Sequence, residues 1–279
     1  MDSVVYRTAN ILADDPGWWQ NDTNTQKNGT NWENQTNPND ISRIGLAADA
    51  TPHTIQTRTP RMLNKTKIEQ MKLNEAVLTT KLGLYYKVSG SQVNYSYNIN
   101  IEPIGIPMTI NSSRSFGEPP PKSQDIYKIT RLVLEETGNI ASFRAEELNG
   151  SLSDNVIINI SGNRSEDVII QITDFNITNT NASFDNATLN SIALMPSNYI
   201  AYNRTNISDF NNYPIPVTLE NSTDTLRLIF NKSLFTAISN TLELDFNNIT
   251  FNQAWPPVNY SDRVEPLYEP ATLVVEAWS

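Results

Sequence analysis

The sequence predicts a β-dominated α+β chain, with N-terminal helices packed on an antiparallel, sandwich-like β-region. Three observations carry this. Apolar residues recur at helical spacing only before residue 83. From Leu84 onward apolar and polar residues alternate with period two. Short β-branched runs then follow one another to the end of the chain, with turn residues between them. The expected organisation is a helical and loop region over 1–83 and a β-rich domain, an antiparallel sandwich, over 84–279.

Val4, Val5, Ala9, Leu12 and Ala13 fall near one helical face, which predicts a helix over 2–13 that Pro16 and Gly17 stop. Residues 20–40 read as a polar loop, with Trp32 alone inside "GTNWENQT". A second helix is expected over 65–82. Asn64 can cap it, Thr66 and Glu69 have capping-box spacing, and Ile68, Met71, Val77, Leu78 and Leu82 form its stripe. Gly83 ends it. "YYKVSG" and "NYSYNINIEP" read as the first strands. "IYKITRLVLEE" and "IASFRAEEL" flank Thr137-Gly138-Asn139 like the arms of a hairpin. "NVIINIS", "DVIIQITDFNI", "SIALM", "YPIPVTLE", "DTLRLIF", "TLELDFNNITF" and "ATLVVEAWS" continue the series, with one helical turn expected in "KSLFTAIS".

The net charge of −10 sets up a field that repels phosphate backbones, so nucleic acid is not an expected partner. Only 18% of residues are charged, so the polarity comes mainly from Asn, Ser and Thr. The absence of cysteine excludes thiol catalysis and cysteine metal sites, and points to a prokaryotic protein that folds outside the cell. No run of apolar residues is long enough for a membrane helix.

The sequence holds 18 Asn-x-Ser/Thr sequons, at Asn21, Asn28, Asn34, Asn64, Asn94, Asn111, Asn149, Asn159, Asn163, Asn176, Asn181, Asn186, Asn203, Asn206, Asn221, Asn231, Asn248 and Asn259. Composition alone would give about six or seven occurrences of this motif. Four sequons carry a central isoleucine: Ile160, Ile177, Ile207 and Ile249. In a strand the Asn and the hydroxyl residue share one face and the isoleucine takes the other. The pattern predicts sheets with an apolar inner face and a sugar-bearing outer one, as in an archaeal surface glycoprotein.

His53 is the only histidine and reads as an exposed loop residue, so a Ser-His-Asp triad and a histidine metal cage are excluded. Glu135-Glu136 and Glu146-Glu147 are the candidate carboxylate pairs for glycoside hydrolysis, though one member of each adjacent pair is expected to face solvent. Asp14, Asp15, Asp22 and Asn24 lack the register of a calcium loop. No catalytic residue, metal ligand or cofactor is expected. The Trp18-Trp19 pair follows the Pro-Gly break, and the expectation is a structural anchor: at least one of Trp18 and Trp19 should pack the first helix against the rest of the chain.

"MDSVVYRTANIL", Asp15-Pro16-Gly17-Trp18, Trp32-Glu33-Asn34, Arg43-Ile44-Gly45-Leu46-Ala47, Lys67-Ile68 and the closing "ATLVVEAWS" together resemble the soluble heads of archaeal secreted proteins related to type IV pilins. The resemblance covers mainly the first hundred residues and the last ten. It implies a pilin-like head or membrane-anchored adhesin whose hydrophobic N-terminal helix was removed or lies upstream of Met1. It also implies an extracellular, cell-surface location and membrane anchoring of the full-length protein. The partners implied are a homo-oligomer or filament built through that helix, and the cell envelope or surface glycans. The alternative is a carbohydrate-binding or glycan-degrading module, supported by five Trp and eleven Tyr that can stack on sugar rings.

Overall fold

The computed structural model describes residues 2–21, 24–49, 58–104, 114–149, 154–177, 181–205, 216–252 and 256–279. Strand outweighs helix, giving a β-rich α+β protein. The chain forms two compact units. Unit 1 comprises 1–137 and 268–279, and unit 2 comprises 138–267. This division lies elsewhere than the change of periodicity at residue 83.

In unit 1, helix α1 (Asp2–Asp14) buries Val5, Thr8, Ala9, Leu12 and Ala13, the face its spacing predicts. Gly17, with φ +82, turns the chain into the strand Trp18–Asn21. The polar stretch that follows is not simply a loop. Trp18–Asn21 pairs antiparallel with Asn24–Gly29 on one side and Ile41–Arg43 on the other. Backbone pairing builds this ribbon without an apolar alternation, which is why the sequence reads as coil.

The second predicted helix is two. α2 (Lys65–Leu73) and α3 (Glu75–Lys81) are separated at Asn74, whose Nδ2 donates to Gln70 O at 2.9 Å. Asn64 caps α2, its Oδ1 accepting from Lys67 N at 3.0 Å. Gly83 takes φ +67 directly after α3. Tyr85–Val88 and Ser91–Asn94 form a hairpin. Ser96–Pro103 pairs antiparallel with Arg114–Gly117 and, in full register, with Ala271–Trp278. The core of the unit gathers Leu12, Trp32, Ile41, Met71, Leu78, Ile99 and Leu273, all fully buried.

The hairpin expected at Thr137-Gly138-Asn139 does not exist. Tyr127–Arg144 is one continuous strand of 18 residues. Gly138 keeps extended backbone, and none of the three residues takes the left-handed conformation that a tight hairpin turn requires. Within unit 1 this strand pairs parallel with Met62–Leu63. Within unit 2 its other part, Ile140–Arg144, pairs parallel with Ile169–Thr173. The β-region is therefore mainly, but not wholly, antiparallel.

Unit 2 has two sets of strands. One runs Tyr199–Asn203, Leu226–Phe230, Val168–Thr173 and Ile140–Arg144. The other runs Ile192–Ala193, Ala182–Leu189, Ser239–Asn247, Asn155–Ser161 and Val258–Asn259, with Val217–Leu219 beside Ala182–Phe184. Both contribute to a single apolar cluster that includes Ile158, Ile170, Phe184, Phe230 and Leu244. The turn expected in "KSLFTAIS" is a short 3-10 helix over Lys232–Leu234.

Candidate functional site

Of the 18 sequon asparagines, Asn111 and Asn206 lie outside the described residues. None of the other 16 is buried. Nine are exposed: Asn34, Asn94, Asn163, Asn176, Asn181, Asn186, Asn221, Asn231 and Asn259. Seven are half-buried: Asn21, Asn28, Asn64, Asn149, Asn159, Asn203 and Asn248. The buried asparagines, Asn98, Asn155 and Asn240, all fall outside the motif. Among the central isoleucines, Ile160 and Ile249 are buried and Ile177 packs partly buried on the unit 2 core. Ile207 is outside the described residues. Strand alternation accounts for Asn159-Ile160-Ser161 alone, which lies in Asn155–Ser161; Ile177 and Ile249 meet instead in an isolated bridge outside the strands, with Asn248 at φ +57.

The asparagines differ in what their Nδ2 atoms do. That of Asn64 donates to Glu136 Oε2 at 2.9 Å, in the same contact that gives the first amide of α2 a carboxylate acceptor. That of Asn259 donates to Asp262 at 3.0 Å. The Nδ2 atoms of Asn203 and Asn248 reach backbone carbonyls at 3.4 and 3.3 Å.

The Pro16-Gly17 turn is bolted from three sides. Lys67 is fully buried on α2, and its ammonium donates to Pro16 O at 2.8 Å, Ala47 O at 3.2 Å and Asp49 Oδ1 at 3.1 Å. The second carboxylate oxygen of Asp49 accepts from the Thr30 hydroxyl. Trp32 is fully buried against the turn, its indole N–H donating to Gly45 O at 2.9 Å. A Cβ on Gly17 would lie 2.3 Å from Trp32 Cδ1, and one on Gly45 would lie 2.1 Å from Asp15 O. Both positions therefore require glycine. Asp15 accepts from Gly17 N at 2.8 Å and pairs with Arg43 at 2.9 Å.

Trp18 and Trp19 are both half-buried. Trp19 packs on the unit 1 core and donates its indole N–H to Asn31 Oδ1 at 2.8 Å. Trp18 lines an open groove of about 470 Å3. One wall is α1, through Val4, Arg7 and Ile11; the other is the end of α3 with Lys81 and then Tyr85. Arg43 closes it beside Trp18.

Each candidate carboxylate pair has structural partners. Glu135 is buried and pairs with Arg114 at 3.2 Å; burial pushes its carboxyl up, opposed by that guanidinium. Glu136 serves the start of α2. Glu146 pairs with Arg144, and Glu147 accepts from Arg144 N and pairs with Arg263 at 3.1 Å. In unit 2 the carboxyl of Asp245 is pushed above its ordinary value by burial and then by Glu243, Asp154 and Asp185. Among the described residues no grouping of His, Asp and Glu could hold a metal ion. His53 and Asp22 lie outside them.

Lys67, Asp49 and Trp32 are the site residues to which the sequence reading gave no structural role. A signal was present for Lys67. It stands four residues before Met71 and eleven before Leu78, on the buried face of the helical stripe. No family model, curated protein or solved structure matches this chain.

Proposed function

We propose that this chain is the non-enzymatic, N-glycosylated head of an archaeal cell-surface protein. It is a pilin-like head or membrane-anchored adhesin, with N-terminal helices packed on a sandwich-like β-region, and it acts in assembly or attachment. The observation that carries the reading is the sorting of asparagines. All 16 described sequon residues are at least partly accessible, whereas the buried asparagines lie outside the motif. Absence of cysteine suits folding outside a reducing compartment. The structural partners of the four paired glutamates favour attachment over hydrolysis. Among the described residues no helix is long and apolar enough to cross a membrane. The test is the intact mass of the chain produced in an archaeal host that carries N-glycosylation machinery. A mass series above the bare polypeptide supports the reading, and a mass equal to the bare polypeptide refutes it.

A further inference from the structure

We propose that the groove beside Trp18 binds an anionic saccharide, with the Trp18 and Tyr85 rings against a sugar ring and Arg7 and Lys81 meeting its carboxylate or sulfate. This deepens the surface-head reading and rests on it for where such a sugar would be encountered. The volume of about 470 Å3 falls in the range of roughly 300–1,000 Å3 usual for small-molecule sites and leaves room for a short oligosaccharide. Aromatic rings that keep one face accessible are the side chains that stack on the apolar face of a pyranose, and both Trp18 and Tyr85 are only half-buried.

Charge selects among sugars. The chain carries a net −10, yet the residues lining this groove include Arg7, Arg43 and Lys81 and no carboxylate. The charge of Arg43 is met by Asp15 at 2.9 Å. Arg7 donates to Gly83 O at 2.9 Å and has no carboxylate partner among the described residues; the same holds for Lys81. Arg7 belongs to α1 and reaches Gly83 O just past the end of α3, and Lys81 is the last residue of α3. Two cations without a carboxylate partner, beside two half-buried aromatic rings, suit a ligand that is both ring-shaped and acidic.

The test titrates the purified 279-residue chain, bearing no sugar of its own, with tetragalacturonate, a sulfated galactose tetramer, maltotetraose and hexaglutamate, followed by calorimetry. Binding of one or both acidic sugars, without maltotetraose or hexaglutamate, is the expected result, and it tells carboxylate from sulfate recognition. Trp18→Ala and Lys81→Gln should each weaken that binding at least about tenfold, the scale of one charge-assisted hydrogen bond. Trp18→Phe should retain most of it, and thermal melts show which variants remain folded. Failure of both acidic sugars to bind, equal binding of hexaglutamate or maltotetraose, or undiminished binding by folded Trp18→Ala and Lys81→Gln overturns the proposal. None of these outcomes alters the mass test of glycosylation.

Discussion

Replacing Lys67 with methionine keeps most of the side-chain length and removes the ammonium. Three acceptors then lose their shared donor: Pro16 O, Ala47 O and Asp49 Oδ1, at 2.8, 3.2 and 3.1 Å. Asp49 keeps the Thr30 hydroxyl, but its side chain is only 6% exposed and would lose the buried ammonium 3.1 Å away. Removing one partner of a buried ion pair costs about 3–5 kcal/mol, because the remaining charge stays desolvated. At roughly 2–4 °C per kcal/mol, the scale for domains of this size, the loss is about 6–20 °C in Tm. Circular dichroism measures the unfolding. The pair Lys67→Met with Asp49→Asn should recover part of the loss, because the buried carboxylate that faced the ammonium is gone; the two substitutions are coupled, not additive. A Tm for Lys67→Met within about 2 °C of the parent, far below the scale just given, would show that the ammonium does not bolt the turn.

Trp32→Ala should cost about 3–5 kcal/mol in denaturant unfolding, as for other buried aromatic truncations, with Trp18→Ala clearly cheaper; the reverse order would mean the junction rests on Trp18. Gly17→Ala should lower Tm strongly, since φ is +82 and the new methyl meets Trp32, and an unchanged Tm would contradict this packing. Asp245 has a raised folded pKa, so the native state holds its proton to higher pH than the unfolded chain. Its stabilising contribution is complete below the unfolded pKa and is lost as pH rises through the raised folded value. Asp245→Asn should remove that loss, making unfolding free energy flatter across the acidic range; an unchanged pH profile would refute the assignment.

The helices and most strands are legible because each buries one face and the chain must write that face at the element's own period. α1 and the core strand Asn155–Ser161 follow it closely. The strands Ala182–Leu189 and Tyr199–Asn203 are harder to read: Asp185-Asn186 and a register shift interrupt the first, and in the second the adjacent Ala201 and Tyr202 are both buried, while backbone pairing holds each in the sheet. Thr137-Gly138-Asn139 misleads for the opposite reason: turn-type residues occur inside the continuous strand Tyr127–Arg144. At the candidate site the sequons are fully legible, since the motif is local. The Lys67–Asp49 pair is not, because its partners are 18 residues apart and a lone lysine on an apolar stripe does not name its carboxylate. Trp32 lay in a stretch too polar to suggest a core, and only the close approach of Gly17 and Gly45 explains its burial.

Site-resolved glycopeptide mapping of the chain from an N-glycosylating archaeal host tests the central claim most directly. Sugar should be found at exposed sequons such as Asn34, Asn94, Asn163, Asn176, Asn181, Asn186 and Asn221. Asn64 should be bare or least occupied, because its amide caps α2 and its Nδ2 is held by Glu136 at 2.9 Å. Peptides unmodified at every exposed sequon would contradict the account.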